Sequence, residues 1–169
     1  MSKHPFQTLM GSVNSALVVV TTSVENTQAG CLVGYHSQAS ISPQHYCIWL
    51  SKANHTYRVG LRATHFAVHF LTADDLALAQ QFGTHSGQHV NKFADLDVAT
   101  DAQSMPLLAD CPNHMVLERI SLLDDGGDHV CVTGKVVSAH SNEKFTPLRV
   151  ADIGKLAPAH GSDERIIEP

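Results

Sequence analysis

The sequence has no apolar run approaching the roughly 20 residues that a membrane-spanning helix needs. Its first residues, Met1-Ser2-Lys3-His4-Pro5, lack the apolar core of an export signal. Basic residues are few and scattered, 11 Lys and Arg against 16 Asp and Glu, so there is no basic stripe of the kind that binds nucleic acid. The four cysteines, Cys31, Cys47, Cys111 and Cys131, form no CxxC pair, which removes the usual zinc spacings. No GxGxxG follows a strand pattern, and there is neither a GKS or GKT phosphate loop nor a GxSxG nucleophile motif. These absences disfavour a Rossmann dehydrogenase, a P-loop enzyme and an α/β-hydrolase. The expectation is a cytoplasmic protein with reduced thiols, without a membrane or nucleic-acid partner.

What is present reads as one β-rich domain. A chain of 169 residues, 43% hydrophobic, is long enough to bury a real core. Ala16 to Thr22 is a strong strand pattern. Val24 to Ala29 is polar and reads as a hairpin connection, and Gly30 to Val33 resumes the apolar run. Ala39 to Ser42 alternates and stops at Pro43. Further strands are expected at His45–Leu50, His65–Leu71, around Val116–Leu123 and at Val130–Val137. Short strands separated by turn signals suggest a barrel or sandwich.

Helices are fewer. Asn54 can cap a helix over His55–Ala63. Thr72 is a natural N-cap for a helix to Phe82, with Asp74 and Asp75 in its first turn and Gly83 as its stop. Leu76, Ala79 and Phe82 fall on or near one face of it. Val98–Pro112 reads as loop, and the segment after Leu156 as a polar, mobile tail.

Twelve histidines invite a metal hypothesis. His85 and His89 are four apart, but Ser86-Gly87 between them argues for a loop. His65 and His69 flank Phe66-Ala67-Val68 and would share one face of a strand. Without carboxylate or cysteine partners at ligand spacing, no metal is expected.

Two polar segments carry chemistry. Gly126-Gly127-Asp128-His129 runs into the strand pattern of Val130, Val132 and Val136, so an acid and a histidine stand where a loop enters a sheet. Such a place can hold a polar group against a ligand, although an Asp-Gly turn can also be purely structural. Ser51-Lys52-Ala53-Asn54-His55-Thr56 lies between a strand and a helix. Its hydroxyls, amides and one cation suit a phosphate monoester, and equally an ordinary N-capped loop with a solvated lysine.

Six pieces in one order give the chain a family resemblance. Val18-Val19-Val20-Thr21-Thr22 looks like an opening strand, and Ala29-Gly30 through Ser40-Ile41-Ser42-Pro43 like a second strand with its serine-and-proline segment. Leu50 to Thr56 looks like a phosphate-contacting loop. Phe66-Ala67-Val68-His69-Phe70-Leu71 resembles an "FAVN(V/L)L" strand, Lys92-Phe93 a "KF" pair, and Gly127-Asp128-His129 with Gly134 and Val136 a "GDHxxxxGxV" signature. The pattern resembles the flavin reductase-like family of FMN-binding split barrels, over residues 8 to 156.

The resemblance implies a mainly β fold, an antiparallel Greek-key-like split barrel with a few helices, working as a homodimer. It implies FMN, or FAD, as cofactor and NAD(P)H as electron donor, with a monooxygenase as a further partner. Gly34, Tyr35, His36, Ser37 and Gln38 would run beside the flavin ring. Ser51, Lys52, Asn54 and Thr56 would hold the phosphate, with Lys92 and Phe93 near the cofactor. His129 would position the flavin or nicotinamide, oriented by Asp128. The chain departs from the family pattern where Gly34 and Tyr35 replace hydroxyl residues and where His69 replaces an asparagine. The alternatives are a flavin-holding protein or electron carrier without NAD(P)H turnover, and a split-barrel oxidoreductase acting directly on an organic substrate.

Overall fold

The run Leu17-Val18-Val19-Val20 is buried on both faces, which explains why it is apolar throughout rather than alternating. It opens strand β1 (Val18–Val24). The structure, a computed structural model, describes residues 4–84, 86–87 and 90–154. The His85 and His89 pair and the tail from 157 lie outside the described residues.

β1 sits inside an antiparallel seven-stranded sheet. The other strands are β2 (Thr27–Val33), β3 (His36–Ser40), β4 (His45–Ser51), β5 (His65–Phe70), β8 (His114–Leu123) and β9 (His129–His140). Their spatial order is β2-β1-β5-β8-β9-β4-β3. The sheet curls into a half-barrel, as the family resemblance implies and as one of the two architectures left open by the strand pattern. Val18 and Val20 face its inner core with Ile48, Leu50, Phe66, Val68, Leu117 and Val132. Leu17 and Val19 face a second core with Leu71, Leu78, Phe82, Phe93, Leu108 and Leu148. A fully buried phenylalanine such as Phe66 contributes about 3–5 kcal/mol against alanine.

Local chemistry sets the connections. Glu25 and Asn26 both have positive φ, 50° and 66°, so β1 and β2 join through a two-residue turn shorter than the polar stretch suggests. Asn54 caps α2 (His55–Gly60) by accepting from the Thr56 amide at 2.9 Å. Thr72 and Asp75 form a reciprocal capping box. There the expected single helix divides into a 3₁₀ turn (Ala73–Asp75) and α3 (Leu76–Thr84). The tighter first turn shifts the phase, so Leu78, Ala79 and Phe82 are buried while Leu76 is exposed. The helix also runs through Gly83, which does not adopt a left-handed conformation.

Further elements differ from expectation: the strand expected at Ala39–Ser42 is β3, which ends at Ser40. Residues 98–112, read as loop, contain a small two-stranded sheet of β6 (Val98–Thr100) and β7 (Pro106–Leu108). A helix absent from the sequence reading, α1 (Pro5–Val13), precedes β1 and buries none of its residues. Among the described residues no helix is long and apolar enough to cross a membrane.

Candidate functional site

β4 and β9 are antiparallel neighbours, so the chain leaving β4 meets the chain entering β9. Ser51, the last residue of β4, lies opposite His129, the first of β9. Just beyond, the Lys52 amide donates to the Asp128 carbonyl at 2.9 Å. The two polar segments singled out in the sequence are therefore one structure: the 51–56 loop is tied to the 124–128 turn.

The turn is shaped by its own acids and one glycine. Asp124 Oδ1 accepts from the Gly126 amide at 2.8 Å, and Asp125 Oδ1 from the Gly127 amide at 3.2 Å. Of the glycine pair only Gly126 uses a left-handed angle, at φ 93°. Asp128 Oδ1 accepts from His129 Nδ1 at 2.7 Å, which assigns the proton to Nδ1 and makes Nε2 the acceptor nitrogen of the neutral ring. The Tyr35 ring lies 4.8 Å from the His129 ring at 51°, so two aromatic groups meet at the C-terminal end of β4. Tyr35 is bound to that end by its carbonyl, which accepts from the Trp49 amide at 3.0 Å.

The donors around this junction divide into spent and unspent. The Ser51 Oγ is buried and meets no hydrogen-bond partner among the described residues. A buried hydroxyl in that condition is costly unless something completes it, and it fits an anionic oxygen or a carbonyl of a ligand. Lys52 Nζ lies 2.9 Å from Asp124 Oδ1, with only 12% of its side chain exposed. That bond, with the Gly126 amide second, holds the Asp124 carboxyl below the usual carboxylate range. Asn54 is spent on the α2 cap, and the buried Thr56 hydroxyl engages the Cys31 thiol. The α2 helix is six residues long, so its end offers little field of its own.

On the far side of the loop lies a cleft of about 360 Å³ between the β1–β2 turn, His55 and residues 90–93. Lys92 and Phe93 line it, but their side chains turn inward. Lys92 Nζ donates to the carbonyls of Gly30 at 2.9 Å and Phe82 at 3.1 Å. Burial lowers its pKa, partly opposed by Cys31. Phe93 packs edge-on against Phe82 at 5.5 Å in the second core. The pair frames the cleft rather than reaching into it. His55, part of the polar 51–56 segment but given no role from the sequence, lines the same cleft; burial and the positive Arg58 and Lys92 lower its pKa.

The ring-side residues separate in the same way. His36 turns into the protein: its Nε2 donates to the Ala16 carbonyl at 2.8 Å, and Nδ1 accepts from the Tyr46 hydroxyl at 2.6 Å. Burial lowers its pKa, partly opposed by that carbonyl. Ser37 and Gln38 stand exposed on β3, an edge strand, and bond their own neighbourhood. Gly34 is half-buried, 3.7 Å from Leu17 at its would-be Cβ. Tyr35, Ser51, Lys52, Asp128 and His129 are thus the predicted residues that the fold gathers most closely. Among the described residues no group of three or more His, Cys, Asp or Glu could hold a metal ion.

An FMN reductase (NADH), SmoA of Agrobacterium fabrum, is 27% identical over 139 residues, covering 82% of this chain and 76% of that protein. The reductase component of a flavin-dependent trigonelline monooxygenase of Acinetobacter baylyi is 26% identical over 157 residues. That match covers 89% of this chain but 46% of the larger protein. The crystal structure of a flavin reductase domain protein from Arthrobacter sp. FB24 superposes with a TM-score of 0.74 at 19% identity, covering 85% of this chain and 90% of that one. The profile of the "Flavin reductase like domain" matches residues 10–155, and the chain belongs to that family.

Proposed function

We propose that this protein is an NAD(P)H-dependent flavin reductase that uses FMN, with FAD as the other flavin it would take. The observation that carries the reading is the junction of β4 and β9, where the unpartnered Ser51 hydroxyl, Lys52 and the Asp128–His129 pair converge. Flavin, when bound, supplies the hydride-accepting and electron-delivering chemistry. The chain's own residues bind and orient. Ser51 Oγ and Lys52 Nζ would contact the phosphate, with Asn54 and Thr56 shaping the loop beneath them. The backbone of residues 34–38 would flank the ring, and Lys92 and Phe93 would frame the tail. Asp128 holds the His129 ring so that Nε2 faces a ligand, a positioning role that needs no general base.

The reductase component among the relatives supports a monooxygenase as the consumer of the reduced flavin. Assembly as a homodimer is supported by α1, which exposes Phe6, Leu9, Met10 and Val13 at helical spacing. The cytoplasm is the proposed location.

The test is spectroscopic. The purified protein, supplied with FMN, is mixed with NADH and with NADPH without oxygen. Bleaching of the flavin band by either donor is expected. Bound flavin that stays oxidised with both identifies a flavin-holding protein instead. Failure to bind FMN or FAD overturns the cofactor assignment.

A further inference from the structure

The Lys52–Asp124 pair is lopsided. The lysine side chain is 12% exposed and the aspartate 45%, so a nearly buried cation is matched by an anion from a surface turn. The turn is fastened to Lys52 twice, by the side-chain contact at 2.9 Å and by the Lys52 amide bonded to the Asp128 carbonyl. Asp124 Oδ1 carries both the Lys52 contact and the Gly126 amide bond, so the carboxylate is held in place by its own backbone. Two further carboxylates, Asp125 and Asp128, stand on the same turn. Next to this neutralised lysine lies the buried, unpartnered Ser51 hydroxyl.

We infer that Asp124 is an internal competitor for the flavin phosphate at Lys52, so that this one carboxylate sets how strongly the chain prefers a flavin with the phosphate over one without it. The inference rests on the reading that the 51–56 loop takes the flavin phosphate. A phosphate dianion reaching Ser51 and Lys52 meets a cation whose charge is already matched and a turn rich in negative charge. Binding then requires Asp124 to give up its contact, and the carboxylate is in place to reclaim Lys52 when the flavin leaves. Riboflavin, which lacks the phosphate, does not enter this contest. The acidic turn is therefore a determinant of which flavin is favoured and how fast it departs.

The test compares FMN with riboflavin by quenching of flavin fluorescence, in the oxidised state and without any electron donor. Asp124→Asn removes the charge and keeps an amide oxygen for the Gly126 bond; Asp124→Ser serves as a second variant with a hydroxyl acceptor. Both variants should tighten FMN by roughly fivefold, the range of a partly exposed ion pair, and slow its dissociation, while riboflavin is unchanged. In a Lys52→Met background the gain from Asp124→Asn should largely vanish. Tighter FMN that persists unaltered in that background overturns the competition with Lys52. Equal changes for FMN and riboflavin, or weaker FMN, overturn it as well and leave the flavin site standing. Wild-type protein that binds neither flavin removes the inference together with the reading beneath it.

Discussion

Below neutral pH this protein should lose stability in large part through the fully buried imidazole of His69. His69 is fully buried on β5. Its Nδ1 donates to the Val19 carbonyl at 3.1 Å, and its Nε2 accepts from the Leu108 amide at 3.1 Å. Both nitrogens are committed in the neutral tautomer, and a second proton would displace the Leu108 amide. Burial pushes the pKa down from 6.5 to about 4, the Val19 carbonyl opposing and the nearby His114 adding to the fall. Above pH 6.5 neither the native nor the unfolded chain protonates this residue, and it carries no pH dependence. As pH falls through 6.5 the unfolded chain gains a proton that the native state refuses, so stability drops until pH reaches the folded value. At about pH 5 nearly every unfolded molecule is protonated against about one native molecule in ten, a loss of about 2 kcal/mol relative to about pH 7.5.

The assay is urea unfolding across that pH range for the wild type and for His69→Asn, whose amide can face the same two backbone groups without titrating. His36 and His55, whose pKa values burial also lowers, remain in both proteins. Their contributions cancel in the difference. The wild type should lose about 2 kcal/mol more than the variant between those pH values. Equal losses would refute the assignment of the acid sensitivity to His69, whatever the variant's stability at neutral pH.

Two further substitutions probe packing near the site. Lys92→Met strips the Gly30 and Phe82 carbonyls of their shared donor and should cost about 2–4 kcal/mol in urea unfolding; a loss within about 0.5 kcal/mol would mean the ammonium is not structural. Gly134→Ala would put a Cβ 2.6 Å from the Leu117 Cβ and 3.3 Å from the Glu118 carbonyl of the adjoining strand. It should cost about 2 kcal/mol in the same assay, and a neutral result would show that β8 and β9 can separate there.

The strands were legible because their burial is periodic. β4 alternates from Tyr46 through Ile48 to Leu50, and β1 shows the unbroken apolar run of a strand covered on both sides. The Asp128–His129 pair and Ser51 were legible as polar residues at strand ends. Their adjacency was not, because it depends on the β4–β9 register, which no local pattern encodes. For the same reason Asp124 went unnoticed: its bond to Lys52 exists only across that pairing. The three-residue strands β6 and β7 are too short to display a period. Helix α1 has apolar spacing, Pro5 at its start and a left-handed Asn14 at its end, but no capping side-chain bond and no charge in its first or last turn, so only part of the usual boundary signal is present. The family resemblance puts Lys92 near the cofactor, and only the two carbonyls behind it explain its burial.

The pairing of Ser51 with His129 also has a kinetic consequence. β4 and β9 are far apart along the chain, and β9 must join β8 on its other edge as well. The hairpins β1–β2 and β8–β9 close short loops, whereas the β4–β9 seam closes one from residue 51 to residue 129. Long loops are slow to close because their entropy is lost before contacts reward it. The candidate site at this seam should therefore be among the last regions to assemble after synthesis, so that recovery of flavin quenching during refolding trails the appearance of β structure.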